Sequence, residues 1–271
     1  MMKSLVCLVA ALLLLMPLSV AAEEDSLDFV VIHPGQPGNP VSAQPVMAAF
    51  ADYLQDRLAD VAIAGRYYNR TEEALTALAS EPPHWGIVSL GFFIEEGQSL
   101  ALKPIASTRP DGEERERLYL LVSADSVDDW RQLEGSVAGT MLFQHRAAAR
   151  LLLETTPEEL PFALEGTFHP LRALRQVLRG ELAGVVLDRP QFQALQDLPL
   201  FQQLKTIHMS AELPTAPVVW FGKPTEAAQP LVAVLQAMAD DPQAAGLLTL
   251  LQNQGFGPPD PCLADYWEEL P

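Results

Sequence analysis

The sequence predicts an α/β fold built as two lobes. Apolar, strand-like runs alternate with helix-like segments along most of the chain, which is the order of a doubly wound α/β unit. A charged segment, RPDGEERER, interrupts this alternation at residues 109–117, and a late apolar run at 216–221 can return the chain to the first group. Two segments of similar plan begin at Thr71 and Pro170, and each reads as helix, turn, buried strand and helix.

The first 22 residues predict a secretory signal peptide. Lys3 precedes an apolar run from Leu5 to Leu18, and small residues follow up to Ala22. The alternative is a membrane anchor, but the run of about 14 residues is shorter than the roughly 20 that a membrane-spanning helix needs. We therefore expect cleavage before Glu23 and export to the periplasm.

Charge and cysteine content exclude several classes of function. The formal net charge is −18, so nucleic acid and anionic lipid are unfavourable partners. Cys7 lies in the predicted signal peptide, which leaves Cys262 alone and makes an internal disulfide impossible after cleavage. Catalytic and phosphate-binding motifs such as GxSxG, HExxH and the P-loop are missing from the sequence. We therefore expect a binding protein without a cofactor, in monomeric form, that relies on its apolar core.

The first lobe is predicted from residues 23–113 and 213–271. Its strands follow from short β-branched runs, its loops from Pro and Gly, and its helices from apolar residues at helical spacing. Glu72 and Glu73 fall in the first turn of one helix, where acidic residues complement the helix dipole. In chain order we expect strand Leu27–Ile32, loop His33–Pro40, a helix from Ser42, strand Val61–Ala64, a helix from Thr71, strand Trp85–Ser89, helix Phe92–Gln98, extended run Leu102–Ser107, strand Ala216–Phe221 and helices Glu226–Ala239 and Pro242–Asn253.

The second lobe is predicted from residues 114–212. The chain would cross between lobes near Glu113 and near Leu213, and such a paired crossing forms a hinge. The Pro-rich tail that follows residue 254 is expected to be irregular, with Tyr266 and Trp267 as anchors. In chain order we expect strand Leu118–Val122, helix Val127–Leu133, strand Ser136–Leu142, helix His145–Glu154, strand Phe162–Thr167, helix His169–Arg179, strand Leu182–Leu187, helix Pro190–Leu198 and strand Leu204–Met209.

Four stretches carry a resemblance to a known family. They are PVMAAFADYLQDRLA from Pro45, the run SADS from Ser123 with Trp130 after it, VLRGELAGVVLD from Val177, and SAELPTAPVVW from Ser210. In these stretches the chain resembles the periplasmic solute-binding proteins of the phosphonate/phosphite (PhnD-like) type. The resemblance implies the two-lobed class II periplasmic-binding-protein fold with two hinge crossovers. It also implies capture of a small anionic or zwitterionic, phosphonate-like solute and its delivery to an ABC permease.

The resemblance places an oxyanion site at one strand end and helix start of the second lobe, where the family has Ser and Thr. Here the matching joint is Gln144-His145-Arg146, which has no hydroxyl group. Arg146 can instead bind a carboxylate or oxyanion through a two-pronged contact, or it can face solvent and pair with Glu154. We expect this joint to face the Pro/Gly-rich loop after His33 across a shared gap.

The remaining candidate ligand contacts follow from the rule that open α/β sheets bind ligands beyond the carboxyl ends of their strands. Phe92 stands near a position where the family often has tyrosine, and Thr215 matches a small polar hinge position. Arg189 can close the cleft or merely precede the helix that Pro190 begins. The candidates besides the Gln-His-Arg joint are His33, Gln36, Ser89, Phe92, Asp188, Arg189 and Thr215.

Several alternatives remain at this point. His33 and His145 could share a metal, although no histidine spacing in the sequence is typical of a metal site. The same closed form could be read by a chemoreceptor or a sensor kinase rather than by a permease. A periplasmic enzyme or metal-binding protein on the same fold is a further alternative. Cys262 has no histidine near it in the sequence, so we expect no catalytic role for it.

Overall fold

A computed structural model of the chain describes residues 26–58 and 61–268. The predicted signal peptide and Cys7 lie outside these residues, as does the side chain of Trp267. The strands are β1 Phe29–Ile32, β2 Gly65–Tyr68, β3 Trp85–Val88, β4 Leu102–Thr108, β5 Arg115–Glu116, β6 Leu118–Ser123, β7 Gly135–Gly139, β8 Phe162–Gly166, β9 Gly184–Asp188, β10 Leu204–Met209, β11 Leu213–Pro214, β12 Pro217–Phe221 and β13 Phe256–Gly257. The α-helices are α1 Pro40–Gln55, α2 Thr71–Ser80, α3 Leu90–Glu96, α4 His145–Leu153, α5 Pro170–Leu178, α6 Arg189–Leu195, α7 Ala228–Ala237, α8 Ala245–Leu250 and α9 Asp265–Glu268.

The strands form two large sheets, each the centre of one lobe. The first-lobe sheet has the order β13-β4-β12-β3-β1-β2, and the second-lobe sheet has the order β10-β6-β9-β7-β8. Parallel pairs such as β1 with β3 and β7 with β9 lie inside both sheets, and antiparallel strands complete them. The short strands β5 and β11 pair antiparallel between the sheets. This is the two-lobed α/β fold with two hinge crossovers that the sequence predicts.

The hinge is also joined by side-chain hydrogen bonds. The Thr215 hydroxyl donates to the Thr108 carbonyl oxygen at 2.6 Å, and the Thr108 hydroxyl donates to the Ala216 carbonyl oxygen at 2.9 Å. Thr215 is 2% exposed. It therefore ties the two crossing segments together, and its side chain is not directed into open space.

Each lobe has its own apolar core, with one important exchange. In the first lobe the rings of Phe29 and Trp85 stack with centroids 4.9 Å apart, and the Phe50 ring meets Phe29 edge-on at 5.1 Å. Ile94, on α3 of the first lobe, packs instead in the second-lobe core and is 1% exposed. A first-lobe helix is thus anchored in the second lobe.

Four predicted segments are wrong in place, length or type. The tail after residue 254 is not wholly irregular, because it contains β13, which pairs with β4, and the short helix α9. The second strand is Gly65–Tyr68 rather than Val61–Ala64, because a Cβ at position 65 would lie 2.2 Å from the Phe29 ring and only Gly permits that approach. The expected helix Val127–Leu133 is a single 3-10 turn at Trp130–Gln132. The Asp129 carboxylate caps its start by accepting from the Arg131 N–H. The expected helix Pro242–Asn253 is confined to α8, six residues long.

Candidate functional site

The two lobes touch where the sequence predicts a gap. Gly35, in the loop after β1, lies so close to the second lobe that a Cβ there would be 1.9 Å from the Thr140 carbonyl oxygen and 2.9 Å from the Phe143 ring. Its φ of +85° also favours glycine. The two predicted segments therefore lie next to each other, and in this conformation the protein's own atoms fill the space between them.

Gln144 lies at the centre of this contact. It is 2% exposed, and its Nε2 atom donates to the Thr71 hydroxyl across the lobe boundary at 3.1 Å. A Cβ at Gly91 would lie 3.1 Å from the Gln144 Oε1 atom, so the side chain packs directly on the start of α3. The buried amide thus connects the starts of α2 and α3, which belong to the first lobe, to the second lobe.

The start of α4 already holds a carboxylate. The Ala147 N–H donates to Glu95 Oε1 at 3.0 Å, and Glu95 belongs to the last turn of α3 in the first lobe. His145 and Arg146 are exposed, and neither makes an ion pair with another described residue. The alternative pairing of Arg146 with Glu154 is not observed within the described residues. The Gln-His-Arg joint is therefore split between one buried amide and two solvent-facing side chains.

The first-lobe candidates serve mainly to shape the chain. The Ser89 hydroxyl caps α3 by accepting from the Phe92 N–H at 3.2 Å, and Phe92 is fully buried in the first-lobe core. The Gln36 carbonyl oxygen accepts from Asn69 at 2.9 Å. Burial lowers the pKa of His33 to about 4, and its Nε2 atom is buried without a hydrogen-bond partner among the described residues. His33 is therefore neutral near pH 7.

Asp188 and Arg189 form a partly buried junction at the start of α6. Asp188 accepts from the Gln191 N–H at 2.8 Å, and burial raises its pKa to about 7 with help from the negative charge of Glu116. Burial likewise raises the pKa of Glu116, which accepts from the Arg189 N–H at 2.9 Å. Arg189 pairs with Glu113 at 3.3 Å, so its charge is directed toward the hinge.

A cavity of about 630 Å³ opens beside the lobe contact. Pro37 of the first lobe borders it, and the remaining lining comes from the β8–α5 loop, α5 and α6 of the second lobe. Gln191 lines the cavity and donates to the Thr140 hydroxyl at 2.9 Å, which links the cavity to the lobe contact. Three of its lining residues can carry positive charge, namely His169, Arg172 and Arg175.

The residues that line this cavity are not among the candidates predicted from the sequence, although the sequence contains one signal for them. Thr71 follows β2 and His169 follows β8, so both lie beyond the carboxyl end of a strand. Open α/β sheets bind their ligands at such positions. Arg70 also reaches across the boundary, with its guanidinium 4.9 Å from the centre of the Phe168 ring. Glu95 gave no such signal, because it lies at the end of a helix and meets α4 through a contact with the other lobe.

Metal-binding and membrane-spanning features are absent from the part of the chain that the structure describes. That part contains no group of three or more His, Cys, Asp and Glu side chains that could hold a metal ion. It also contains no helix with the length and apolar character needed to cross a bilayer. Cys262 is free and half-buried.

Solved structures share this architecture across nearly the whole chain. XAC2383 from Xanthomonas citri, in a structure bound to ATP, is 19% identical with a TM-score of 0.69, and the match covers 90% of this chain and 95% of that one. The binding-protein component of an ABC phosphonate transporter from Pseudomonas aeruginosa is 13% identical with a TM-score of 0.64, over 89% of this chain and 83% of that one.

PhnD1 from Prochlorococcus marinus, in complex with methylphosphonate, is 12% identical with a TM-score of 0.63, over 90% of this chain and 95% of that one. No curated protein matches the chain. A family model described as the phosphonate ABC transporter periplasmic substrate-binding protein matches residues 37–266, which is most of the sequence. The chain therefore belongs to the family of periplasmic substrate-binding proteins of phosphonate ABC transporters.

Proposed function

We propose that this chain captures a small anionic or zwitterionic solute between its lobes in the periplasm and delivers it to an ABC permease. Residues 23–113 and 213–271 would move as one lobe and residues 114–212 as the other. The short β5–β11 pair supports this division, because it is the narrow connection between the two sheets. Closure would be favoured when ligand contacts to both lobes outweigh the greater freedom of the open form.

The observation that carries the ligand class is the charge around the cavity beside the lobe contact. Its volume of about 630 Å³ lies within the ordinary range for small-molecule sites. Arg172 and Arg175 are exposed and form no ion pair with any described residue, although the chain has a net charge of −18. Arginine side chains without a direct ion pair at a concave site in an acidic protein favour an anionic ligand, although the charge of Arg172 also helps to lower the pKa of Glu181.

Among the residues predicted from the sequence, we assign Gln144 and Asp188 to the inner end of this site. Gln191 supports the assignment of Asp188, because it lines the cavity, donates its backbone N–H to the Asp188 carboxylate and donates its side-chain amide to the Thr140 hydroxyl. Gln144 does not line the cavity, and its assignment rests on its hydrogen bond to Thr71 across the lobe boundary. Arg146 and His145 are assigned to the outer rim on α4, where both are exposed. Gln36 stays a candidate for a first-lobe contact, whereas His33, Ser89, Phe92, Arg189 and Thr215 are assigned to positioning the elements around the site.

A thermal-shift series tests this proposal with the three probes methylphosphonate, phosphate and ATP. Binding at about 100 times the Kd stabilises the folded state by about 2.7 kcal/mol. For a protein of this size that free energy corresponds to a rise in Tm of roughly 5–10 °C. No rise with any of the three probes would contradict the anionic ligand class.

Three variants locate the ligand. We expect the double variant Arg172→Ala/Arg175→Ala to lose the shift, and Arg179→Ala to keep it. Arg179 is an exposed arginine that follows α5 but pairs with Glu181 and does not line the cavity. Loss of the shift in Arg146→Ala, with the double variant unaffected, would move the ligand to the start of α4.

A further inference from the structure

We propose that Glu95 determines specificity by holding the start of α4 and excluding small dianions from it. This inference rests on the proposed function, since it concerns which anions the same cleft accepts. The relevant contact is the hydrogen bond from the Ala147 N–H to Glu95 Oε1 at 3.0 Å, which joins the second lobe to the first.

The start of α4 needs a partner that its own sequence does not supply. Gln144, at the position before the helix, makes no capping hydrogen bond to it, and the first turn contains no acidic residue. Ala147 is 0% exposed, so water does not reach that residue in this conformation. A buried N–H without a partner is costly, and the helix dipole adds positive potential at the same point. A carboxylate from outside the helix satisfies both requirements.

Packing fixes Glu95 in place. Its neighbour Ile94 is 1% exposed within the second-lobe core, next to residues of α4. Gly91, one turn earlier, lies against the Gln144 side chain. The helix α3 is therefore held against the second lobe at two points, both in the turn that leads up to the carboxylate.

This arrangement separates anions by size and charge. A compact dianion such as phosphate would have to displace Glu95 from the Ala147 N–H, and while nearby it would be repelled by that carboxylate. A larger anionic solute can instead reach Arg172 and Arg175 in the cavity beyond Gln191. The favoured substrate class is thus an extended organic anion whose charged group lies away from the start of α4.

Small-angle X-ray scattering of the ligand-free protein tests the cross-lobe contact. We expect wild type to be compact and Glu95→Ala to shift toward a larger radius of gyration, because the variant loses both the hydrogen bond and the charge. Glu96→Ala is the matched control, since Glu96 is the next residue on α3, is half-buried and makes no side-chain hydrogen bond or ion pair with a described residue. Scattering curves that are identical for wild type and Glu95→Ala would overturn the inference.

Calorimetric titration with phosphate and methylphosphonate tests the selectivity. Glu95→Gln keeps an oxygen that can accept from the Ala147 N–H but removes the negative charge. We therefore expect both probes to bind the variant roughly tenfold more tightly than they bind wild type. Glu96→Gln should match wild type. Equal or undetectable affinity in wild type and Glu95→Gln would overturn the proposed selectivity. If the arginine double variant still loses its shift in that case, the proposed function stands without this role for Glu95.

Discussion

The two helix starts that meet at the lobe boundary are satisfied in opposite ways. In the first lobe, α3 is capped by its own Ser89, whose hydroxyl accepts from the Phe92 N–H at 3.2 Å. In the second lobe, α4 has no cap of its own and receives Glu95 from α3. The first helix start is completed by a residue of its own lobe, whereas the second is completed by a residue of the other lobe.

Under the proposed closure, this difference predicts which lobe determines ligand specificity. The free N–H groups of a helix start without its own cap can bind either a protein carboxylate or an anionic solute. The joint Gln144-His145-Arg146 has no hydroxyl group. An acceptor from outside the helix therefore makes a larger share of the hydrogen bonds at this helix start. The second lobe is therefore the side on which changes should alter closure, and the first lobe the side on which they should alter local stability.

The largest loss of stability should come from truncating Ile94, the apolar side chain that anchors α3 beside α4. Ile94→Ala removes a side chain that is 1% exposed in the second-lobe core, and such truncations typically cost about 2–5 kcal/mol in the free energy of unfolding. Urea denaturation measures this loss. Leu250→Ala is the control, since Leu250 is 60% exposed and should change stability by less than about 0.5 kcal/mol. Equal stability of the two variants would mean that Ile94 does not pack in the second lobe.

The next effect concerns α6, which, unlike α4, has its own acidic cap. Burial raises the pKa of Asp188 from 3.8 to about 7. The folded state therefore binds a proton more tightly than the unfolded state, and stability falls as pH rises from roughly 4 to 7. Three pKa units correspond to an upper limit of about 4 kcal/mol. Asp188→Asn keeps an acceptor for Gln191 but removes this titration.

Denaturation at pH 4.5 and pH 8 separates this group from others. Glu116 also has a raised pKa because of burial and contributes a slope in both proteins. We therefore expect the stability of Asp188→Asn relative to wild type to increase by up to about 3 kcal/mol between the two pH values, because the unfolded-state carboxyl is already mostly ionised at pH 4.5. A constant difference across this range would show that Asp188 is not protonated near neutral pH.

A smaller effect tests the closed contact itself. At Gly35 a Cβ would lie 1.9 Å from the Thr140 carbonyl oxygen, and φ is +85°. At Gly180 φ is +70°, but nothing lies within 4 Å of the added atom. Both Gly→Ala changes introduce backbone strain of about 1–3 kcal/mol, and only Gly35→Ala also forces the lobes apart. Scattering should detect opening in Gly35→Ala and none in Gly180→Ala, and a Gly35→Ala variant that stays closed would contradict the close approach of that loop to Thr140.

The sequence predicted the architecture well because strands, helices and hinge leave local signals. The alternation of apolar runs and the return at 216–221 were sufficient for two lobes and two crossovers. It misplaced β2, since Gly65 is required by the Phe29 ring on a neighbouring strand rather than by its own segment. The roles of Glu95 and Ile94 were invisible for the same reason, because they act through contacts with residues far away in the sequence.

The smallest effect sharpens the comparison at the self-capped helix. Ser89→Ala removes the cap of α3 and should cost about 1 kcal/mol in the free energy of unfolding, the usual contribution of such a residue. Ser99→Ala is the control, because the Ser99 hydroxyl only donates to the Glu96 carbonyl oxygen at the exposed end of the same helix. Since the cap lies within one lobe, scattering from ligand-free Ser89→Ala should equal that of wild type, unlike Glu95→Ala. Opening of Ser89→Ala would mean that both helix starts, and not α4 alone, depend on closure.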